Sequence, residues 1–146
     1  MSGVVIDANL AIALMIPLPY SESSTARIQA WQQAGIPILV PGLWGYEVVS
    51  ALRKAAAGEW ITLQEAENAL NELWALGFEQ VPATLELHRS SLKWADRIGQ
   101  KVAYDSAYLA LAETNELEFW TADRPLAESA KAAGAKLVHY LGDEEL

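Results

Sequence analysis

Five short β-rich runs, alternating with helical segments, constrain this chain more than any other feature. The runs are residues 3–6, 36–40, 78–81, 118–121 and 137–140. Apolar spacing between them predicts helices over 9–16, 23–34, 43–57, 62–76, 84–98, 105–114 and 125–133. The stops are local: Pro17 and Pro19, then Gly35, Gly58, Gly77, Gly99 and Gly134. Thr62 with Glu65 three residues on is a capping box. Strands separated by helices have the long connections that parallel pairing requires, and a parallel sheet needs cover on both faces. The expected fold is therefore α/β, a three-layer α/β/α sandwich around a mainly parallel sheet. Residues 1–146 are expected to form one domain, because no linker, repeat or low-complexity tract divides them.

Ten Lys and Arg against nineteen Asp and Glu give a net charge of −9. A free, non-specific binder of nucleic acid or membrane wants a basic surface, so that class is excluded. A nucleic-acid enzyme is not, because part of the acid can serve as a metal site. The absence of Cys excludes disulfide scaffolds, thiol nucleophiles, zinc-thiolate sites and iron–sulfur clusters. The apolar stretch 10–16 follows Asp7 with no Lys or Arg before it, so it is not a targeting signal. No run reaches the ~18 apolar residues of a membrane helix. The expectation is a cytoplasmic protein with no membrane partner.

Ligands of open parallel sheets bind at the carboxyl ends of the strands. Asp7 ends the first run, and Glu47 lies in the first turns of the helix after the second. Asp105 opens a helix, and Asp123 sits two residues past the fourth run, in Thr121-Ala-Asp-Arg-Pro. Singly, each has an ordinary explanation: three could be N-caps, and Glu47 a solvated helix residue. Their flanks argue otherwise. Asp7 follows Val-Val-Ile, Glu47 lies among Tyr46, Val48 and Val49, and Ala107-Tyr-Leu-Ala-Leu111 comes soon after Asp105. Carboxylates in apolar surroundings are costly unless paired, and several sharing a pocket repel one another. A hard divalent cation, Mg²⁺ or Mn²⁺, resolves both problems. The chemistry that fits is metal-assisted attack of water on a phosphodiester.

Four segments carry a resemblance. Val4-Val-Ile-Asp7-Ala-Asn9 resembles the opening motif of PIN-domain nucleases, and Tyr46-Glu47-Val-Val-Ser50-Ala-Leu52 their second-acid helix. Ala103-Tyr-Asp105-Ser-Ala-Tyr-Leu-Ala-Leu-Ala-Glu113 is similar to the third-acid helix, and Trp120-Thr121-Ala-Asp123-Arg-Pro-Leu126 to the final motif. The order and spacing cover essentially the whole chain and most resemble VapC-type toxins of toxin–antitoxin pairs. The resemblance implies an α/β/α sandwich and a Mg²⁺- or Mn²⁺-dependent ribonuclease acting on RNA. It implies Asp7, Glu47, Asp105 and Asp123 as the catalytic and metal-binding acids, with Asn9 and Thr121 as polar supports. It also implies an antitoxin-like protein that wraps a groove and brings a basic residue near the acids.

Other residues have two readings. Arg89, Lys93 and Arg97 recur every four residues, with Lys101 just beyond. They form either a solvated face or a phosphate track toward Asp105. Lys54 shares a helix face with Glu47 two turns away, as a backbone contact for RNA or half of an ion pair. Arg124 could hold Asp123 or a phosphate. His88 and His139 lack metal-ligand spacing. No G-x-S-x-G, P-loop or G-x-G-x-x-G occurs. Of Trp31, Trp44, Trp60, Trp74, Trp94 and Trp120, four are expected in the core and the others at an interface. Helices 43–57 and 62–76 are the expected place for a homodimer or antitoxin contact. Two alternatives stand beside the nuclease: a PIN-like nucleic-acid or protein binding module without catalysis, and a phosphotransferase using Asp7 as nucleophile. The second fits less well, because position 9 is Asn rather than Asp.

Overall fold

The computed structural model describes residues 3–143. Its sheet has five parallel strands in the order β3-β2-β1-β4-β5. These are β1 (Val4–Ile6), β2 (Ile38–Pro41), β3 (Glu79–Val81), β4 (Glu118–Thr121) and β5 (Val138–Tyr140). β1 is central, with Val4 opposite Ile38 on one side and Glu118 on the other. Val4, Val5 and Ile6 are all buried. Successive strand residues point to opposite faces, so complete burial of three in a row means that both faces are covered. The cover is α1 (Ala8–Ile12), α2 (Ser21–Gln33), α3 (Leu43–Ala57), α4 (Leu63–Ala75), α5 (Leu85–Arg97), α6 (Asp105–Thr114) and α7 (Arg124–Ala132). This is the expected three-layer sandwich.

Element ends differ from the sequence reading where a turn or cap claims the residues. The first helix stops at Ile12 rather than 16. Leu14 and Met15 instead make tight turns to Ala11 and Ile12 carbonyls, and Pro17 disfavours helical backbone at Ile16. Ser21 anchors that turn: its hydroxyl accepts from Leu18 N (2.8 Å) and donates to the Ile16 carbonyl (3.1 Å). β2 starts at Ile38 rather than 36 because Ile36 closes α2, its N–H bonding Trp31 O while Gly35 takes a φ of +70°. The Thr62–Glu65 capping box is present in both directions. Trp31, Trp44, Trp94 and Trp120 are buried, whereas Trp60 and Trp74 are 81% and 49% exposed. No helix among the described residues is long and apolar enough to cross a membrane.

The topology fixes where a ligand can sit. The chain runs outward from β1 to β2 and β3, then crosses to β4 on the other side of β1. Strand order therefore reverses between β1 and β4, and the crevice of such sheets opens at the carboxyl ends there. Asp7 directly follows β1 and Thr121 is the last residue of β4.

Candidate active site

At that point lies a pocket of about 630 Å³ whose walls include Asp7, Asn9, Glu47, Lys54, Asp105, Tyr108 and Asp123. The four acids come from four separate elements. Asp7 caps α1, its Oδ1 accepting from Leu10 N at 3.2 Å. Asp123 caps α7 in the same way, through Leu126 N at 3.0 Å. Both are N-caps and pocket residues at once, so the ordinary explanation and the functional one apply together. Glu47 projects from α3, and Asp105 opens α6.

Neutral donors hold these carboxylates. Buried Thr121 donates to Asp7 Oδ2 at 2.5 Å and accepts from Asp123 N at 3.0 Å, so one hydroxyl links the ends of β1 and β4. Tyr108, one turn along α6 from Asp105, donates to Glu47 Oε1 at 2.5 Å. Gln100 Nε2 donates to Asp105 Oδ2 at 3.0 Å. Sequence reasoning named Thr121 but missed Tyr108 and Gln100. The signal for Tyr108 was its i+3 spacing from Asp105, which puts both on one helix face. Gln100 carried no signal, because its reach to Asp105 depends on how the α5–α6 loop folds. Among the described residues no three carboxylates or imidazoles are drawn together as a preformed metal cage.

The electrostatics follow from burial without positive charge. Asp7 is 7% exposed, and its pKa is pushed up to about 7. Desolvation is the main cause, reinforced by Asp105 and Asp123 and opposed by the Thr121 and Leu10 hydrogen bonds. Burial also raises Glu47, with Asp105 adding repulsion and the Tyr108 hydroxyl opposing both. Tyr108 is raised far above the ordinary phenol range by burial and by Glu47, so it stays a donor. Tyr20 lines the same pocket, and burial first, then the Asp7 charge, raises it.

Tyr108→Phe deletes one hydroxyl and keeps the ring on Phe119. Hydrogen bonds to charged groups contribute about 1.5–3 kcal/mol, and Glu47 is only half-buried. Solvent screening puts the expected loss below that range, at about 1 kcal/mol, measured by urea unfolding at pH 7. Unchanged stability would mean that water replaces the hydroxyl at no cost.

The basic residues divide. Lys54 lines the pocket; Arg89, Lys93, Arg97 and Arg124 do not. Arg89 pairs with Glu86 at 2.6 Å, and Lys93 is exposed on the same helix. Arg97 stacks on Trp94 at 3.8 Å and donates to the Ala133 carbonyl behind α7, so it joins two helices. Arg124 lies over Tyr140 and faces Asp143 at 3.5 Å rather than Asp123. The flanks of Glu47 also need correction: Tyr46 and Val49 point to solvent, and it is Tyr108, a long-range neighbour, that encloses the carboxylate.

No family model matches the chain. Ribonuclease VapC3 of Pyrobaculum aerophilum is 34% identical over 131 residues, which cover 88% of this chain and 95% of that protein. Among solved structures, a toxin–antitoxin complex from Klebsiella pneumoniae is similar with a TM-score of 0.69 at 17% identity, over 99% of this chain and 100% of that one. VapC20 of Mycobacterium tuberculosis, a sarcin–ricin-loop-cleaving toxin, is similar with a TM-score of 0.66 at 13% identity, over 94% of this chain and 99% of that one. The two structural likenesses show a shared fold.

Proposed function

Because this chain belongs to the VapC family of PIN-domain proteins, we propose that it is a metal-dependent endoribonuclease, the toxin of a toxin–antitoxin pair. The observation that carries this reading is the pocket at the β1/β4 switch point, whose wall Asp7, Glu47, Asp105 and Asp123 share, with neutral hydrogen-bond donors on their oxygens among the described residues.

The donor set fits Mg²⁺ or Mn²⁺: it offers carboxylate oxygens and no sulfur or imidazole. Burial first, and neighbouring carboxylates second, raise Asp7 and Glu47, and a divalent cation would offset both causes by stabilising the ionised forms. Asp7, Glu47, Asp105 and Asp123 are the residues that would hold the cation. A bound cation supplies charge neutralisation at the scissile phosphate and makes water a better nucleophile near neutral pH. The chain's own residues do the rest. Thr121 fixes the Asp7 carboxylate, Tyr108 and Gln100 aim Glu47 and Asp105, and Asn9 adds a polar group at the rim. Lys54 provides positive charge for an adjacent phosphate.

The net charge of −9 makes such a local cation important, because the overall field repels RNA. Lys54→Glu is expected to weaken RNA binding and to lower the salt slope by roughly 0.7 for a single strand. Lys93→Glu, on the exposed face of α5 away from the pocket, is expected to change both less. Equal effects from the two would make the α5 stripe of Arg89, Lys93 and Arg97 a phosphate track as well.

An antitoxin-like protein partner and a homodimer belong to the same reading. Their support is the apolar surface that α3 and α4 leave exposed, with Tyr46, Val49, Leu63 and Trp74. A cytoplasmic location goes with an RNA substrate. The direct test is to incubate the purified chain with labelled RNA in Mg²⁺ or Mn²⁺. Cleavage that stops on chelation and returns with the metal supports the reading. Cleavage that persists in chelator, or no cleavage in either metal across a diverse RNA pool, overturns it.

A further inference from the structure

We propose that Trp60 is a stacking platform for an unpaired nucleobase next to the phosphate presented to the acidic pocket, an inference that rests on the ribonuclease reading above. Trp60 is the most exposed of the six tryptophans, yet it forms part of the wall that also holds the four acids and Lys54. One exposed tryptophan alone marks nothing, but this one belongs to the wall of the acidic pocket.

The indole is placed there by the backbone rather than left loose. At the end of α3 the Trp60 N–H bonds Ala55 O at 3.0 Å and the Glu59 N–H bonds Ala56 O at 3.1 Å, a two-bond helix closure. That closure puts Glu59 at a φ of +61°, a conformation disfavoured for any residue with a Cβ. Gly58 then provides the floor. A Cβ at that position would lie 2.9 Å from Trp60 Cδ1 and 3.2 Å from Nε1. Only glycine therefore lets the ring rest where it does, and a strained residue and a bare backbone together fix one exposed side chain.

The chemistry of the neighbours selects the occupant. An indole face stacks on any base, provided the base is unpaired and splayed out. Lys54, in the last turn of α3 that leads to Trp60, makes no ion pair among the described residues and is available to a phosphate. On the other side of Trp60 a second hollow mixes Arg53 with Glu59 and Glu65, which gives a phosphate chain no net attraction. The pocket side holds four carboxylates against Lys54, but there the cation of the ribonuclease reading would offset them, so the strand is expected on that side, with its base on Trp60 and its phosphate between Lys54 and the acids.

The test uses a labelled single-stranded RNA in an Asp105→Asn background, which prevents cleavage during the titration. Adding Trp60→Ala is expected to raise Kd about tenfold or more, the contribution of one stacked base. Trp60→Phe is expected to recover most of that loss. Removing one base at a time as an abasic site should reproduce the loss at a single position, with no further loss there in the Trp60→Ala protein. An unchanged Kd in Trp60→Ala, with the parent still cleaving RNA, overturns the platform and leaves the nuclease standing. A parent that neither binds nor cleaves RNA overturns both. Unchanged RNA binding with loss of a protein partner overturns the platform in favour of protein docking at Trp60 and Leu63.

Discussion

Asp105→Asn is expected to reduce RNA cleavage by at least about a hundredfold, the scale lost when one preorganised charge-stabilising group is removed, without unfolding the protein. Asp105 is the acid that the others share, since its charge raises both Asp7 and Glu47. Neutralising it would remove a carboxylate oxygen from the proposed metal site and relieve repulsion at buried Asp7 and half-buried Glu47. The circular dichroism spectrum should stay native and the melting temperature of the metal-free protein should stay level or rise. Asp7→Asn, Glu47→Gln and Asp123→Asn are expected to be similarly inactive. Asp123→Asn should also keep its cap, because Asn is as good an N-cap as Asp. Full activity of Asp105→Asn, in protein free of contaminating parent enzyme, would end the four-acid account.

The second expected result concerns pH and metal together. Asp7 titrates in the folded protein at about 7, against an ordinary value of 3.8. The folded state therefore holds this proton more tightly than the unfolded chain does. The stability it contributes is complete below about pH 4 and is lost progressively as the pH rises to about 7. One pKa unit corresponds to about 1.36 kcal/mol, so the loss is on the order of 4 kcal/mol as an upper limit. Metal-free parent protein should melt at a higher temperature at pH 5 than at pH 8, once other groups are allowed for by the Asp7→Asn control. The variant should lack most of that difference and be the more stable protein at pH 8. Divalent cation should reverse the pattern, because it binds the ionised form. Its affinity should fall by up to about tenfold per unit as the pH drops below about 7. At 100 Kd of Mn²⁺ the expected stabilisation is about 2.7 kcal/mol. Equal metal shifts in parent and Asp105→Asn would place the ion elsewhere on this acidic surface.

Much of this was legible in the chain. The strand and helix bounds at Leu43–Ala57, Asp105–Thr114 and Glu118–Thr121 coincide with the sequence pattern. The first of these ends at a breaker, Gly58, as read. Where bounds and pattern differ, at Ile36 and at residues 13–16, hydrogen bonds to a neighbouring helix end decided the matter. The four acids could be found because each sits at a strand end or an early helix turn, positions that a parallel sheet gathers on one rim. The donors on them were harder, apart from Thr121: the spacing of Tyr108 from Asp105 puts it on the right helix face, but its bond to Glu47 spans 61 residues and depends on how α6 sits against α3. The cations were hardest. Arg97 and Arg124 look like phosphate ligands by position, yet each is engaged with an aromatic ring and a neighbouring acceptor. Among the basic residues singled out in the sequence, Lys54 alone lines the pocket.

The central claim is that this pocket holds the cation on which RNA cleavage depends. Crystals of the protein soaked in Mn²⁺ and measured at the manganese absorption edge test it directly. The account predicts an anomalous peak within coordinating distance of Asp7 and at least two of Glu47, Asp105 and Asp123. A peak only at another acidic surface, or an empty pocket at Mn²⁺ concentrations that support cleavage, would contradict it.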